Sequence, residues 1–263
     1  MQTISNKRKI IPLKDQILIG RNPVVEAFDS GVELEKVYLN KELRGEVEVT
    51  IRKLCKEHEI PLSKVPASKI NDMVGNRDHQ GVVAFISAVE YQDLENILPF
   101  IYEKGETPLI LMLDGVSDVR NLGAIARSAY VMGAHAIVFS AKDSARITEY
   151  AIKSSAGAIL KIPLCRVKNI QDSIRYMQSF GVNVIATHLG AKETISVVNM
   201  SIPIAIIMGS EDKGLGPHIM RLVDTQVIIP QANDFDSLNV SIATGIILYE
   251  VVRQRALQQR IFK

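Results

Sequence analysis

From residue 108 to residue 230 the sequence alternates short, largely apolar runs with amphipathic stretches, and this pattern restricts the fold more than any other feature. Helical stretches such as LGAIARSAYVMG and the segment from Thr148 to Gly157 lie between runs that resemble strands. These runs are LILMLDGV, AHAIVFS, NVIATHL, IPIAIIMGS and TQVIIP. Continuous apolar runs are typical of parallel strands buried on both faces. We therefore predict an α/β fold with a parallel sheet, and a ligand site at the carboxyl ends of its strands.

The first 90 residues carry a second, smaller α/β pattern. LEKVYLN and GVVAFISAV predict strands, VEVTIRKLCKEHEI predicts a helix, and Gly20 to Pro23 predicts a turn before a short helix that ends at Gly31. Gly105 and Pro108 make the following segment resemble a connector. We expect a small domain over residues 15–90, a linker over 91–107 and a larger domain over 108–263.

Composition excludes several classes of protein. The chain has 263 residues, of which 47% are hydrophobic and 23% charged, as in globular proteins. Cys55 and Cys165 are far apart and lack neighbouring ligands, so neither a disulfide framework nor a metal site is expected. No apolar run reaches the length of a membrane span, and Met1 to Lys14 lacks the apolar core of a signal peptide. We expect a cytoplasmic protein without a membrane or metal partner.

Positive charge is unevenly distributed along the chain, although the net charge is only +2. Basic residues are concentrated before Lys14 and again between Lys142 and Arg175, a segment that includes Arg146. Such clusters occur on ordinary solvated surfaces and on nucleic-acid-binding surfaces. Charge alone leaves both interpretations open.

The loop and helix LDGVSDVRNLGAIAR follow the first strand of the larger domain. Leu122, Ile125, Ala126 and Ala129 form the predicted buried stripe at a spacing of 3.6, which leaves Arg127 off that stripe. An arginine at such a position is either solvated or directed at a ligand.

The loop MGSEDKGLGP carries three glycines around Glu211 and Asp212. Its glycine spacing begins like a phosphate-binding P-loop, but the Lys and the Ser or Thr that complete that motif are missing. The glycines alternatively provide positive φ at a turn, with Pro217 starting a helix.

The loop IPQANDFDSLNVS leads into the last helix. Ser237, Asn239 and Ser241 crowd three hydrogen-bonding side chains into five residues. A helix start needs one of them as its N-cap, which leaves the others for a site. No GxGxxG follows a strand, so dinucleotide binding in the Rossmann manner has weak support.

In this order the three loops resemble the SpoU (TrmH-like) family of RNA ribose 2′-O-methyltransferases, within the SPOUT superfamily. The matching residues are Asn121, Gly123, Ala124 and Arg127 in its first motif, GSEDKGL in its second, and IP with SLNVS in its third. GRNPVVEAF and HQGVVAF further resemble the subgroup that contains the bacterial large-subunit (23S) rRNA guanosine 2′-O-methyltransferase. The third motif departs from the family at Gln231 and Asn233, where Met and Gly are usual, so we expect a slightly different loop.

The resemblance implies a SPOUT domain with a C-terminal trefoil knot, preceded by a small α/β RNA-binding domain. It implies S-adenosylmethionine as cofactor, held at Met208, Gly209, Ile229, Pro230 and Leu238. The reacting ribose would be framed by Asn121, Arg127, Glu211, Ser237 and Asn239. The family pattern assigns proton removal to Arg127. Because a guanidinium stays protonated, we expect it instead to bind a phosphate and offset alkoxide charge, with a phosphate oxygen or Glu211 as proton acceptor.

The expected partners are RNA and a second copy of the chain. Contacts to RNA are expected from Arg127 and from turns of the small domain at Arg21, Lys41, Arg44 and Arg77. The final helix is apolar on more than one face, which together with the resemblance predicts a homodimer. Its apolar residues are Val240, Ile242, Ala243, Ile246, Ile247 and Val251.

The expected reaction is 2′-O-methylation of a ribose in structured RNA, with a guanosine of large-subunit rRNA as the favoured substrate and tRNA as the alternative. Two other classes are weighed against it. A catalytically silent RNA-binding protein of the same fold is disfavoured by the intact Asn121, Arg127, Glu211 and Asn239. A nucleotide-dependent α/β enzyme such as a dehydrogenase is disfavoured by the missing P-loop lysine and the missing GxGxxG.

Overall fold

The computed structural model describes residues 17–75, 77–141, 144–145, 147–211, 213–233 and 237–261. The chain divides into two compact units, the first ending at Glu90 and the second beginning at Tyr91. Each unit has its own sheet.

The first unit is a four-stranded sheet in the order β1-β4-β2-β3, with β2 and β3 parallel and the other pairs antiparallel. Its strands are β1 (Ile17–Ile19), β2 (Leu34–Asn40), β3 (Leu62–Val65) and β4 (Val82–Ile86). Its helices are α1 (Arg21–Asp29), α2 (Glu46–Glu57) and α3 (Ala67–Val74). Apolar side chains form one cluster around Val37 and Leu39 and another around Ile70 and Val83.

Helix α1 begins inside the segment that the sequence pattern assigns to a turn. Gly20 has a φ of 102° and precedes the first helical residue, Arg21. Pro23 lies within the first turn of the helix, where its missing N–H costs no hydrogen bond. The predicted turn is therefore confined to Gly20.

The second unit is built on seven strands in the order β7-β6-β5-β10-β8-β11-β9, and all of its described strand pairs are parallel. The strands are β5 (Leu109–Leu113), β6 (Ala136–Ser140), β7 (Leu164–Val167), β8 (Asn183–Thr187), β9 (Glu193–Thr194), β10 (Ile204–Met208) and β11 (Thr225–Ile228). The helices are α4 (Leu94–Glu103), α5 (Val119–Val131), α6 (Glu149–Ser154), α7 (Ile170–Ser179), α8 (Pro217–Met220) and α9 (Val240–Ile261), with a 3₁₀ turn at Ala158–Leu160.

Every residue of β5 and β10 is buried, which explains their unbroken apolar sequences. Ile110 and Met112 pack with α4, α7 and α8 in one core cluster. Because side chains alternate along a strand, the other residues of β5 face the opposite side of the sheet. Helix α5 packs against α6 and α9.

The segment expected to be a connector, 91–107, contains an element of the second unit's core. Helix α4 buries Leu94, Ile97, Leu98 and Ile101 in the cluster under the sheet. Their spacing of three and four residues places them on one face of a helix. This apolar face outweighs the turn signals of the glycine and proline that follow it.

Gly123 lies where α5 crosses α6 at close range. A Cβ at this position would lie 1.8 Å from Ser154 Oγ and 3.0 Å from the Ala151 carbonyl oxygen. The buried stripe of α5 is the predicted one, with Gly123 added to it. Gly123 therefore has a packing role between two helices.

Both cysteines are buried and free, and burial raises the pKa of each thiol to about 12. Among the described residues, no cluster of three or more His, Cys, Asp or Glu side chains could hold a metal ion. No helix in this part of the chain has the length and apolar character needed to cross a membrane.

Candidate active site

A cavity of roughly 420 Å³ opens where β8, β10 and β11 end at the carboxyl edge of the second sheet. Four of the five residues expected to hold a cofactor line it: Met208, Gly209, Ile229 and Leu238. Pro230 is not among the lining residues, although its neighbour Gln231 is. The position agrees with the rule that parallel α/β sheets bind ligands at the carboxyl ends of their strands.

The loop after β10 can close only because residue 209 is glycine. A Cβ on Gly209 would lie 2.4 Å from the carbonyl carbon of Gly214 and 2.6 Å from the Leu215 nitrogen. The Gly214 N–H donates to the Ser210 carbonyl at 2.9 Å, and Gly214 has a φ of 62°. The positive-φ explanation therefore holds for Gly214, whereas Gly209 is needed for close approach of two backbone segments.

The cavity wall combines apolar side chains with a few polar groups. Leu215, Val227, Leu238 and Val240 provide apolar surface, and Ser237 adds a hydroxyl. Sites for small organic ligands are of this size and character.

Beside the cavity, Asn239 joins the first turn of α5 to the loop after β10. Its Nδ2 donates to Asn121 Oδ1 at 3.2 Å and to Glu211 Oε1 at 2.5 Å. Its Oδ1 accepts from the Ser241 N–H at 3.0 Å, as an N-cap does. The capping residue of α9 is thus also the residue that connects the start of α5 with the loop after β10.

Glu211 also meets the first turn of α9. Its Oε1 lies 3.5 Å from the Val240 nitrogen, which donates to it. A carboxylate at a helix N-terminus interacts favourably with the helix dipole. Glu211 is therefore held against the helix start by two donors.

Asp118 is the N-cap of α5, the helix that presents Asn121 and Arg127. Its Oδ1 accepts from the Arg120 N–H at 2.7 Å. The Arg120 guanidinium, followed by backbone donors, lowers the pKa of the Asp118 carboxyl to about 2. The cap is therefore ionised at neutral pH.

Arg127 and Ser237 occupy different surroundings. Ser237 lines the cavity. Arg127 is exposed on α5 and outside the cavity wall, and it makes no hydrogen bond or ion pair with another described residue. Asn121, Glu211 and Asn239 are joined by hydrogen bonds, whereas Arg127 is not connected to them.

In the first unit, the candidate RNA-binding residues lie at one end of the sheet, at the start of α1, after β2 and before β4. The Gly20 N–H donates to the Val82 carbonyl and the Asn40 N–H to that of Gly81, which holds these segments together. Each guanidinium donates a hydrogen bond to a nearby backbone carbonyl. Arg21 donates to Gln80, Arg44 to Lys41 and Arg77 to Val74. Of the basic segments noted in the sequence, residues 1–16, Lys142 and Arg146 lie outside the described residues.

Part of the cavity wall consists of residues that are absent from the expected site. Thr187, His188 and Leu189 line it at the end of β8. The predicted strand NVIATHL has polar residues near its end, and this polar end is the signal that could have located them. Lys213 also lines the cavity, and its sequence position carries no distinguishing signal because exposed lysines are common in loops.

Two family models match the chain. The SpoU rRNA Methylase family model matches residues 108–249, and the model for RNA 2′-O ribose methyltransferase substrate binding matches residues 17–92. The Bacillus subtilis (strain 168) protein YacO, assigned to the TrmH family of tRNA/rRNA methyltransferases, is 36% identical over 90% of this chain and 95% of its own length. A Staphylococcus aureus (strain MSSA476) protein assigned to the same family is 31% identical over 92% and 98%.

Two solved structures of methyltransferases are similar to this chain. An AdoMet-bound rRNA methyltransferase from Sinorhizobium meliloti has a TM-score of 0.58 at 28% identity, covering 90% of this chain and 87% of that one. The SpoU methyltransferase AviRb from Streptomyces viridochromogenes has a TM-score of 0.59 at 23% identity, covering 92% and 90%, and shows the fold alone.

The chain belongs to the SpoU rRNA methylase family. It is an S-adenosylmethionine-dependent RNA methyltransferase. The predicted α/β fold class, with a parallel sheet and a small N-terminal domain, is confirmed. The dehydrogenase alternative is therefore excluded.

Proposed function

We propose that this enzyme methylates the 2′-hydroxyl of a ribose in structured RNA, with a guanosine of large-subunit rRNA as the substrate. The observation that carries the proposal is the junction of Asn121, Glu211 and Asn239 beside the cavity. Three polar side chains meet next to a site of cofactor size, and they come from the start of α5, the loop after β10 and the start of α9. An oriented cluster of this kind suits the alignment of one hydroxyl, which is the main requirement of methyl transfer.

The cavity fits S-adenosylmethionine. Backbone groups at Gly209, Ile229 and Leu238 would hold it, with Met208 and Pro230 on either side. The absence of a side chain at Gly209 supports this role, because it lets the loop after β10 fold back against Gly209 and form part of the cavity wall. When bound, the cofactor supplies a methyl group on a sulfonium that is already activated toward a nucleophile.

The ribose would be positioned by Asn121, Glu211, Ser237 and Asn239. Arg127 would bind the neighbouring phosphate and offset the negative charge that develops on the ribose oxygen. Its exposure supports this role, because an arginine that pairs with none of the described residues can reach an RNA phosphate. A guanidinium does not release its proton at neutral pH, so the hydroxyl proton passes to a phosphate oxygen or to Glu211.

The small domain, residues 15–90, would capture the folded RNA while the domain over 108–263 performs the reaction. The clustering of Arg21, Lys41 and Arg77 at one end of the sheet supports this assignment. Lys41→Glu should weaken RNA binding and leave cofactor binding unchanged. Lys53→Glu, on the exposed side of α2, is the matched control; equal effects of both changes would refute the assignment.

A homodimer through α9 completes the proposal. Val240, Ile247 and Val251 are buried within the protomer, whereas Ile242 and Tyr249 are 55% and 58% exposed. Ile242 and Tyr249 lie two helical turns apart on one face. An exposed apolar helix face of this kind supports association with a second copy.

The trefoil knot and the cytoplasmic location stay predictions. Family membership supports the knot, and an experimental structure of the residues after 204 tests it. Two free cysteines and an RNA substrate support the cytoplasm, and cell fractionation tests that location.

The reaction is tested with labelled S-adenosylmethionine and unmodified transcripts of large-subunit rRNA and tRNA. Label should enter the rRNA and appear in dinucleotides that resist alkaline hydrolysis, because a 2′-O-methyl group blocks strand cleavage. Label in tRNA alone would move the assignment to tRNA. Label in a base instead of a ribose, or no label, would overturn it.

A further inference from the structure

A second cleft of roughly 860 Å³ lies beside the cofactor cavity and has no assigned occupant. It is bordered by the loops after β5, β6, β7 and β10. Ser210, Lys213, Gly214 and Leu215 line both spaces. The loop after β10 is therefore a thin partition between them.

The loop after β10 also connects the second cleft to the cluster of Asn121, Glu211 and Asn239, where the ribose is proposed to react. Ser210, which lines both spaces, directly precedes Glu211. Ser117 lines the second cleft just before the helix that carries Asn121. A polynucleotide with one ribose at the cluster must continue to both sides, and this cleft begins within a few residues of the cluster.

The lining of the second cleft is mainly polar and includes several cationic or donor groups. Lys168, Lys213 and His218 line it, together with the amide of Gln171, and the acid among its described lining residues is Asp114. Pockets for small organic ligands are mostly apolar, whereas phosphate-rich ligands are met by lysine and by polar side chains. The chemistry of the cleft fits a phosphodiester and a base edge.

Gly216 of the same loop leaves room for one of these donors. A Cβ on Gly216 would lie 2.6 Å from the His218 imidazole, so this ring position requires glycine. Gly216 has a φ of −66°, which any residue can adopt, so its backbone conformation does not explain the glycine. The missing side chain at Gly216 thus leaves space for the His218 imidazole in the wall of the cleft.

We propose that this second cleft binds the RNA strand next to the methylated nucleotide, with Lys213 and His218 contacting a phosphodiester and Gln171 contacting a base. The proposal rests on the proposed function, since it adds an RNA subsite to the same reaction. Phosphate chemistry is shared by free nucleotides, so the test separates a strand from a mononucleotide.

The test measures binding of a mixed-sequence single-stranded RNA 20-mer to the whole enzyme over a range of salt concentrations, with S-adenosylhomocysteine present. Plots of log K against log[salt] have a negative slope, and each lost phosphate contact reduces the magnitude of that slope by about 0.7 for single strands. Lys213→Gln should lower it by that amount and weaken binding. Lys104→Gln, a lysine after α4 at the opposite edge of the sheet, should leave the slope unchanged. Equal slopes for the parent and Lys213→Gln would overturn the proposal. Equal reductions of the slope in Lys213→Gln and Lys104→Gln would also overturn it.

Gln171→Glu tests the cleft without touching the cofactor cavity. An acid in the first turn of α7 suits the helix, so the variant should fold, while the new charge should repel a phosphodiester and weaken RNA binding at least tenfold. S-adenosylhomocysteine affinity should stay within twofold. Unchanged RNA affinity, or guanosine monophosphate competing with the 20-mer at equal affinity, would overturn the strand assignment. An enzyme that methylates no RNA would instead refute the proposed function itself.

Discussion

The side-chain amide of Asn239 donates to Glu211 Oε1 at 2.5 Å, which joins the start of α9 to the loop after β10. The same side chain caps α9 through its Oδ1. Capping and bridging can be separated because serine is also a good N-cap but cannot donate from the Nδ2 position.

Asn239→Ser should keep helix stability close to that of the parent, and Asn239→Ala should cost about 1 kcal/mol through loss of the cap. Both changes remove the donor to Asn121 and Glu211, so both should lower single-turnover methylation at least tenfold. Thermal unfolding and single-turnover kinetics of the two variants measure the two effects. A parental rate in Asn239→Ser would show that the bridge is not needed for the reaction.

Arg127→Ala should separate binding from chemistry. Because Arg127 is exposed and leaves no core cavity when truncated, stability should hardly change. Turnover should fall by a factor on the order of 10² or more, since the guanidinium would meet charge that develops during the reaction. Cofactor titration and single-turnover methylation measure the two properties. Arg175→Ala, at an exposed arginine of α7, is the control and should keep full activity.

Gly209→Ala should abolish cofactor binding. The new Cβ would lie 2.4 to 2.6 Å from backbone atoms of Gly214 and Leu215, so the loop cannot keep its conformation. Gly214→Ala meets no atom within 4 Å and adds only the strain of a positive φ, about 1 kcal/mol. Calorimetric titration with S-adenosylmethionine should therefore rank the parent, Gly214→Ala and Gly209→Ala in falling order of affinity. Equal affinity of the two variants would contradict the close-approach argument.

Tyr249→Glu should convert the dimer into a folded monomer. Tyr249 is 58% exposed within the protomer, so a charge there costs little in an isolated chain and much in an apolar interface. Sedimentation velocity measures the oligomeric state, and circular dichroism checks the fold. Val49→Glu, at a helix residue that is 51% exposed in the first unit, should leave the sedimentation unchanged. A parent that sediments as a monomer would refute the dimer.

His135 should make the fold sensitive to mild acid. Its Nδ1 accepts from the Leu109 N–H and its Nε2 faces Glu106, and burial lowers the pKa of the imidazole despite that carboxylate. The neutral form is thus favoured on folding. Its stabilising contribution is complete above the ordinary value of 6.5 and is lost as the pH falls toward the lowered pKa. Thermal unfolding between pH 7.5 and 5 should show a steeper fall for the parent than for His135→Gln. Superimposable curves would contradict this assignment.

Much of the secondary structure followed from periodicity. LEKVYLN became β2 without a change of boundary, and the buried stripe of α5 was the predicted one. The strands that were missed are short or lie at sheet edges, such as β7 (Leu164–Val167) and the two-residue β9. Their sequences are too brief or too mixed for a period to be visible.

The sequence by itself determined the parallel α/β pattern, the three polar loops at strand ends and the family resemblance. These features depend on local periodicity and on residue types at fixed spacing. Tertiary structure decided that Asn239 meets Asn121 across 118 positions and Glu211 across 28, and that the capping residue is also the bridging one. It also decided that Gly209 must be glycine and that the end of β8 supplies a wall of the cavity. The physical reason is strand order: β10 lies between β5 and β8, and no local pattern records which strands become neighbours.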